Sequence, residues 1–271
     1  MKKILVATDF SKAASNAAIY AVKLATGLKA SLLLLHVYQI PTTYSELPIT
    51  VNADEMADSA KEEMLKLKRE LLQKTKENIT IDTQIMEGIF YQALTHVCEE
   101  TSPYLVIIGT QGATSAERLL FGSDAVYTMK HLEWPIIAVP MDYSFEPIRQ
   151  IGFACDLHQV EDIPIEKMKG FLHEFNAEFH VLNTSKRETH TLDLENRPTV
   201  LFEKLTALKP EYHFIQDDDV DEGTLNFAHK NGFDLLIILP KKHNLIVDLL
   251  FKGHTGEFVL HSPIPIMALH E

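Results

Sequence analysis

The chain has 271 residues, 46% hydrophobic and 23% charged, with a net charge of −13. This balance is that of a globular protein, and no apolar run approaches the ~20 residues that cross a bilayer. Residues 1–143 carry 13 Lys and Arg against 17 Asp and Glu, and residues 144–271 carry 12 against 21. Neither half therefore has the basic excess of a nucleic-acid-binding protein.

In chain order, Ile4–Thr8 is an apolar first strand, and Asp9 interrupts it too early for a secretory leader. Together with two cysteines, Cys98 and Cys155, that lack metal or redox spacing, this predicts a cytoplasmic protein with no membrane partner. Ser11 is a plausible N-cap for an alanine-rich helix that runs to a C-cap at Gly27. Residues 31–37 are nearly all apolar, as a central parallel strand should be. Ala60, Met64, Leu67 and Leu71 recur at helical spacing and predict an amphipathic helix over 56–76. Ile79, Ile81, Thr83 and Ile85 alternate as in an edge strand. Helix 89–101, strand 104–109, helix 123–132 and strand 136–140 complete the half. Alternation of strand and helix implies a parallel sheet with helices on both faces.

The pattern then repeats. Ile4-Leu5-Val6-Ala7-Thr8-Asp9 recurs as Ile151-Gly152-Phe153-Ala154-Cys155-Asp156, Leu105–Gly109 as Leu236–Pro240, and Pro135–Val139 as Pro265–Leu269. The order is the same in both halves, which predicts two homologous α/β domains, 1–143 and 148–271. Their last strands would otherwise be exposed edges, so an intramolecular pseudo-dimer is expected, with a homodimer as a further candidate.

The first half carries a motif that the second lacks. The apolar run Leu105–Ile108 leads into Gly109-Thr110-Gln111-Gly112, and nine residues later comes Gly122-Ser123. Glycines at a strand's C-terminal end admit a close-approaching ligand, and Gly122-Ser123 reads as a helix start whose N–H groups favour phosphate. With Asp9 ending the first strand, this pattern resembles the nucleotide-binding universal stress proteins. The resemblance implies two tandem open-twisted five-stranded parallel sheets of strand order 3-2-1-4-5. In such a sheet the ligand lies where strand order reverses, between strands 1 and 4. It further implies ATP or a related adenine nucleotide, with Mg²⁺ as an accompanying ion and a role in stress survival. Residues matching Ala7, Thr8, Asp9 and Val37 would line the adenosine side. Gly109, Gly112, Gly122 and Ser123 would hold the ribose and phosphates.

Two charged residues accompany the motif. Asp124 would repel a phosphate unless Mg²⁺ bridges them, and its plainer reading is a first-turn charge on the helix dipole. Arg118 either offsets phosphate charge or is a solvated loop residue. The plainer reading of Asp9 is an Asx turn opening the helix. His36 ends a strand near the crevice, as a ligand contact or as a satisfied core-edge residue.

In the second half Pro240, His243 and His254 replace Gly109, Gly112 and Ser123, so only Gly253 matches its counterpart. This half is expected not to bind ATP. Ten of the thirteen histidines lie in residues 144–271. His158, His243 and His254 fall beside Asp156 at the rim of the former pocket, which raises a Zn²⁺ alternative against unrelated surface histidines. The acidic run Gln216–Gly223 lacks the glycine position and distal Glu of an EF-hand loop and reads as a strand-to-helix connection. Walker A, dinucleotide-binding and nucleophile-elbow patterns are absent. No general base is identifiable and Arg118 is the one candidate cation, so ATP hydrolysis is expected to be weak at most. Three functions compete: a nucleotide-binding regulator whose loop 110–121 orders around ATP to alter a surface read by an unknown protein partner, a slow ATPase, and a structural interaction module.

Overall fold

The computed structural model describes residues 1–40, 53–75, 78–110, 118–155, 163–186, 199–240 and 255–270. The chain divides into two compact units, Met1–Gly109 and Thr110–Glu271.

The first unit alternates β1 (Lys3–Ala7), α1 (Lys12–Leu28), β2 (Ser31–Tyr38), α2 (Ala53–Lys74), β3 (Ile81–Glu87), α3 (Phe90–Thr101) and β4 (Leu105–Thr110), the last residue of β4 falling in the second unit. β1 lies between β2 and β4, and β3 flanks β2, all parallel. Ile4, Leu5, Val6, Leu32, Leu34, Leu35, Leu105, Val106 and Ile107 are fully buried. Runs buried on both faces are what a parallel sheet covered by helices requires. Alanines line the buried side of α1 and let it approach the strands closely. The α2 stripe Ala60, Met64, Leu67 and Leu71 is buried as its spacing predicts. β3 is the outer strand, with Asp82 and Thr83 exposed.

Ser11 caps α1, its hydroxyl accepting the Ala14 N–H at 3.2 Å. The other end differs from expectation. α1 runs through Gly27 to Leu28, and the left-handed C-cap is Lys29 (φ 51°), whose N–H reaches the Ala25 and Thr26 carbonyls. The glycine was a plausible stop, but the chain turns two residues later.

The second unit holds α4 (Arg118–His131), β5 (Ile136–Pro140), β6 (Gln150–Ala154), α5 (Ile165–Phe175), β7 (Glu178–Ser185), α6 (Thr199–Thr206), β8 (Glu211–Gln216), α7 (Val220–Lys230), β9 (Leu235–Ile238), α8 (Thr255–His261) and β10 (Ile266–Ala268). Strands β8-β7-β6-β9-β10 are parallel neighbours in that order. They repeat the first half, whose five strands run 3-2-1-4-5, the Met141 N–H just past β5 donating to the Thr110 carbonyl that closes β4 (3.0 Å). β10 pairs antiparallel with β5, Met267 opposite Ile137. The last strands of the two repeats thus cover each other's edges within one chain, as the sequence predicts, and every residue of β5 is buried. The Gln216–Gly223 segment is the expected connection: Asp219 caps α7 by accepting from the Asp221 and Glu222 N–H groups.

Candidate functional site

The switch point of the first sheet lies between the C-terminal ends of β1 and β4. Three consecutive residues leave β1 there. Thr8 is buried, and its N–H continues the ladder to the Leu35 carbonyl at 2.8 Å. Its carbonyl accepts from His36 Nδ1 at 2.8 Å, which fixes the proton on that nitrogen. Phe10 sits at φ 65°, a left-handed conformation that a bulky residue rarely adopts. The Thr8 hydroxyl holds it by accepting the Phe10 N–H at 3.1 Å. Between them the half-buried Asp9 accepts the Ser11 N–H on Oδ1 at 3.0 Å. That is the Asx turn of the plainer reading, and among the described residues it leaves Oδ2 without a partner.

On β2 the His36 ring lies 4.4 Å from the Phe10 ring and is stacked with Tyr38 at 6.5 Å. Val37, between them, is half-buried. His36 is thus a satisfied strand-edge residue and also part of an aromatic group at the strand ends. Phe10 reaches His36 only through the parallel pairing of β1 with β2, whereas Tyr38 is two residues along the same strand. Ala7 is buried at the end of β1.

Gly109 has a packing reason of its own. A β-carbon there would lie 2.5 Å from the Ala13 carbonyl carbon and oxygen and 2.8 Å from the Ala14 nitrogen. The first turn of α1 therefore requires a glycine at this point of β4, with or without a ligand.

In the second unit α4 begins at Arg118, five residues before the predicted start. Gly122 and Ser123 accordingly lie within the helix, beyond the four N–H groups that a helix start leaves free. Asp124 does not occupy the first turn either, so neither the charge repulsion argued for a helix start nor the first-turn dipole role applies to it. Its side chain is exposed, yet nearby protein removes enough water to raise its carboxyl above the usual range. Arg118 is the first residue of α4 rather than a loop residue. Gly112 lies outside the described residues, as do Asp156, His158, His243 and His254 of the zinc alternative. Cys155 is buried, like Cys98, whose thiol burial pushes up to about 12.

Parallel β-sheet halves with interleaved helices, and a switch point lined by Thr8, Asp9 and an aromatic group, define the chain as a doubly wound α/β protein. The Universal stress protein family profile matches residues 1–140, and the chain belongs to that family. A universal stress protein of Methanocaldococcus jannaschii, MJ0531, is 27% identical over 139 residues, which are 51% of this chain and 81% of that protein. A universal stress protein structure from Archaeoglobus fulgidus superposes with a TM-score of 0.69 at 17% identity, covering 99% of this chain and 98% of the other. One from Pseudomonas aeruginosa, a putative universal stress protein, gives 0.58 at 13% identity and covers 99% and 93%. At these identities the two structures share the fold.

Proposed function

We propose that the chain is a regulatory protein that binds an adenine nucleotide, ATP with or without Mg²⁺, in its first repeat. The repeats are 1–143 and 148–271. The observation that carries this reading is Asp9: a half-buried carboxylate at the end of β1, with one oxygen committed to the backbone and the other without a partner among the described residues. Such an oxygen is suited to a ribose hydroxyl or an exocyclic amine. The left-handed Phe10 beside it is the kind of strained residue that clusters at ligand sites. Thr8, Val37 and Ala7 belong to the same strand ends. The phosphate-side residues Gly112, Arg118, Gly122, Ser123 and Asp124 are proposed from the sequence motif alone. Pro240, His243 and His254 replace that motif in the second repeat, so this repeat holds no nucleotide. Occupancy alters a surface read by a protein partner in the cytoplasm. Hydrolysis is slow, since no candidate base is identified.

One observation favours a second reading, a structural interaction module with no nucleotide. The close contact of Gly109 with α1 and the Asx turn of Asp9 account for both residues by local structure. Calorimetric titration of the intact chain with MgATP separates the two. Nucleotide binding predicts one site per chain, weakened roughly tenfold or more in Asp9→Asn, which can keep the turn but loses the charge. No heat at millimolar MgATP would establish the structural module. Two sites would overturn the single-repeat reading.

A further inference from the structure

Three metal-ligating side chains meet in the second unit. His180 is the third residue of β7, and Glu211 and His213 are the first and third of β8. In the parallel register His180 stands opposite Glu211, and Leu182 opposite His213. Residues two apart on a strand face the same way, so all three side chains rise from one face of the sheet. They lie near the beginnings of their strands, whereas the ligand crevice of a doubly wound sheet lies at the strands' carboxyl ends.

Hydrogen bonding joins only two of the three side chains, the imidazoles. His180 Nδ1 and His213 Nε2 are 3.0 Å apart. Glu211 places one oxygen 3.7 Å from His180 Nδ1 and the other 3.8 Å from His213 Nε2. Both carboxylate distances exceed a hydrogen bond. All three sets of atoms nevertheless converge, within 4.8 Å of one another. A tetrahedral Zn²⁺ with bonds of about 2.0–2.2 Å separates its ligand atoms by about 3.3–3.5 Å. The imidazole pair, at 3.0 Å, is a few tenths of an ångström short of that spacing, and rotation of the exposed Glu211 side chain brings a single carboxylate oxygen to both nitrogens.

The surroundings complete the case. Phe233 stands edge-on to His180, with ring centroids 4.9 Å apart, and 6.2 Å from His213. Phe227 of α7 lies 5.1 Å from His213. This apolar wall restricts the two imidazoles and excludes water from one side. His180 is 7% exposed, while the Glu211 side chain is 69% exposed. One side of the triangle is therefore open to solvent for a fourth ligand.

We propose that His180, Glu211 and His213 form a divalent transition-metal site for Zn²⁺, with water in the fourth position. Two imidazoles and a carboxylate suit Zn²⁺ and exclude Ca²⁺ and Mg²⁺, which take oxygen ligands. The site uses none of Asp156, His158, His243 and His254 and does not depend on nucleotide binding.

The test uses the intact chain, stripped of metal and titrated with Zn²⁺ against a chromophoric chelator, then with Co²⁺ for its visible spectrum. One Zn²⁺ per chain at submicromolar affinity is expected, with the intense absorption of tetrahedral Co²⁺. His213→Gln should weaken binding by roughly 100-fold, and Glu211→Gln by roughly tenfold or more. Circular dichroism checks that each variant folds, and the exposed Glu211 makes Glu211→Gln a safe second variant. Failure to bind Zn²⁺ tighter than micromolar would overturn the proposal. So would binding unchanged in both variants, or binding lost only in a His158→Gln/His243→Gln/His254→Gln variant.

Discussion

Gly109 on β4 faces the backbone of Ala13 in the first turn of α1 so closely that an added β-carbon would stand 2.5 Å from the Ala13 carbonyl. The partner is the backbone of the helix's first turn, so no side chain can rotate out of the way. Gly109→Ala is expected to destabilise the protein by about 3 kcal/mol, at the upper end for overpacking. Urea unfolding without nucleotide measures it. A loss that appears only when ATP is present would instead assign the glycine to the ligand.

Lys29 closes α1 at φ 51°. A left-handed conformation costs a side-chain-bearing residue about 1 kcal/mol, and glycine carries no such penalty. Lys29→Gly should therefore stabilise the protein by about 0.5–1 kcal/mol, raising the thermal midpoint by a few degrees. Gly27→Ala, within the last turn and with open space around its β-carbon, should also stabilise, by up to about 1 kcal/mol. If Gly27 were the cap, its replacement would destabilise instead.

These two glycines show what was legible in the chain and what was not. Apolar runs such as Leu32–Leu35 and Val106–Ile108 reveal the buried strands, and the recurrence of Ile4–Asp9 as Ile151–Asp156 points to a repeat, while the antiparallel direction of the β5–β10 pair is seen only in the structure. The switch-point location of Asp9 follows from topology. The role of Gly109 does not, because the same residue type serves a ligand or a neighbouring helix, and only coordinates identify the atom it meets. The start of α4 was misplaced because Gly122-Ser123 resembles a helix opening more than it resembles an interior turn. His180, Glu211 and His213 were invisible for a different reason. About 30 residues separate the strands, and their meeting depends on a register that no local pattern encodes.

Two tyrosines set a pH dependence at the alkaline end. Burial pushes Tyr104 up to about 12, and burial with the nearby Asp234 and Glu146 charges pushes Tyr143 to about 12. An unfolded tyrosine ionises near 10. Above that pH the unfolded chain has released protons that the folded chain retains, so stability falls with rising pH. The contribution is intact below about pH 10 and is lost as pH rises toward 12. Phenolate absorbance should show Tyr104 and Tyr143 titrating late in the native protein, with Tyr212, which burial also raises, and all of them normally in urea. Tyr104→Phe and Tyr143→Phe should each remove one late group. A late titration undiminished in the double variant would contradict the assignment.

Asp234 organises the segment that leads into β6. Its Oδ2 accepts the Arg149 N–H at 2.8 Å and the Gln150 N–H at 2.9 Å, and its backbone carbonyl accepts the Tyr143 hydroxyl at 3.4 Å. One carboxylate therefore satisfies two donors just where β6 begins beside β9. Hydrogen bonds to a charged acceptor are each worth about 1.5–3 kcal/mol when buried, and partial exposure here reduces that. Asp234→Ala should cost about 1–3 kcal/mol in total. Asp234→Asn should cost less, because its amide oxygen can still accept while the charge is lost. Hydrogen exchange gives the sharper measurement. In Asp234→Ala the amides of Arg149 and Gln150 should exchange much faster, while those of β1 and β2 stay protected. Uniform acceleration across both units would mean that Asp234 supports the whole fold rather than this junction.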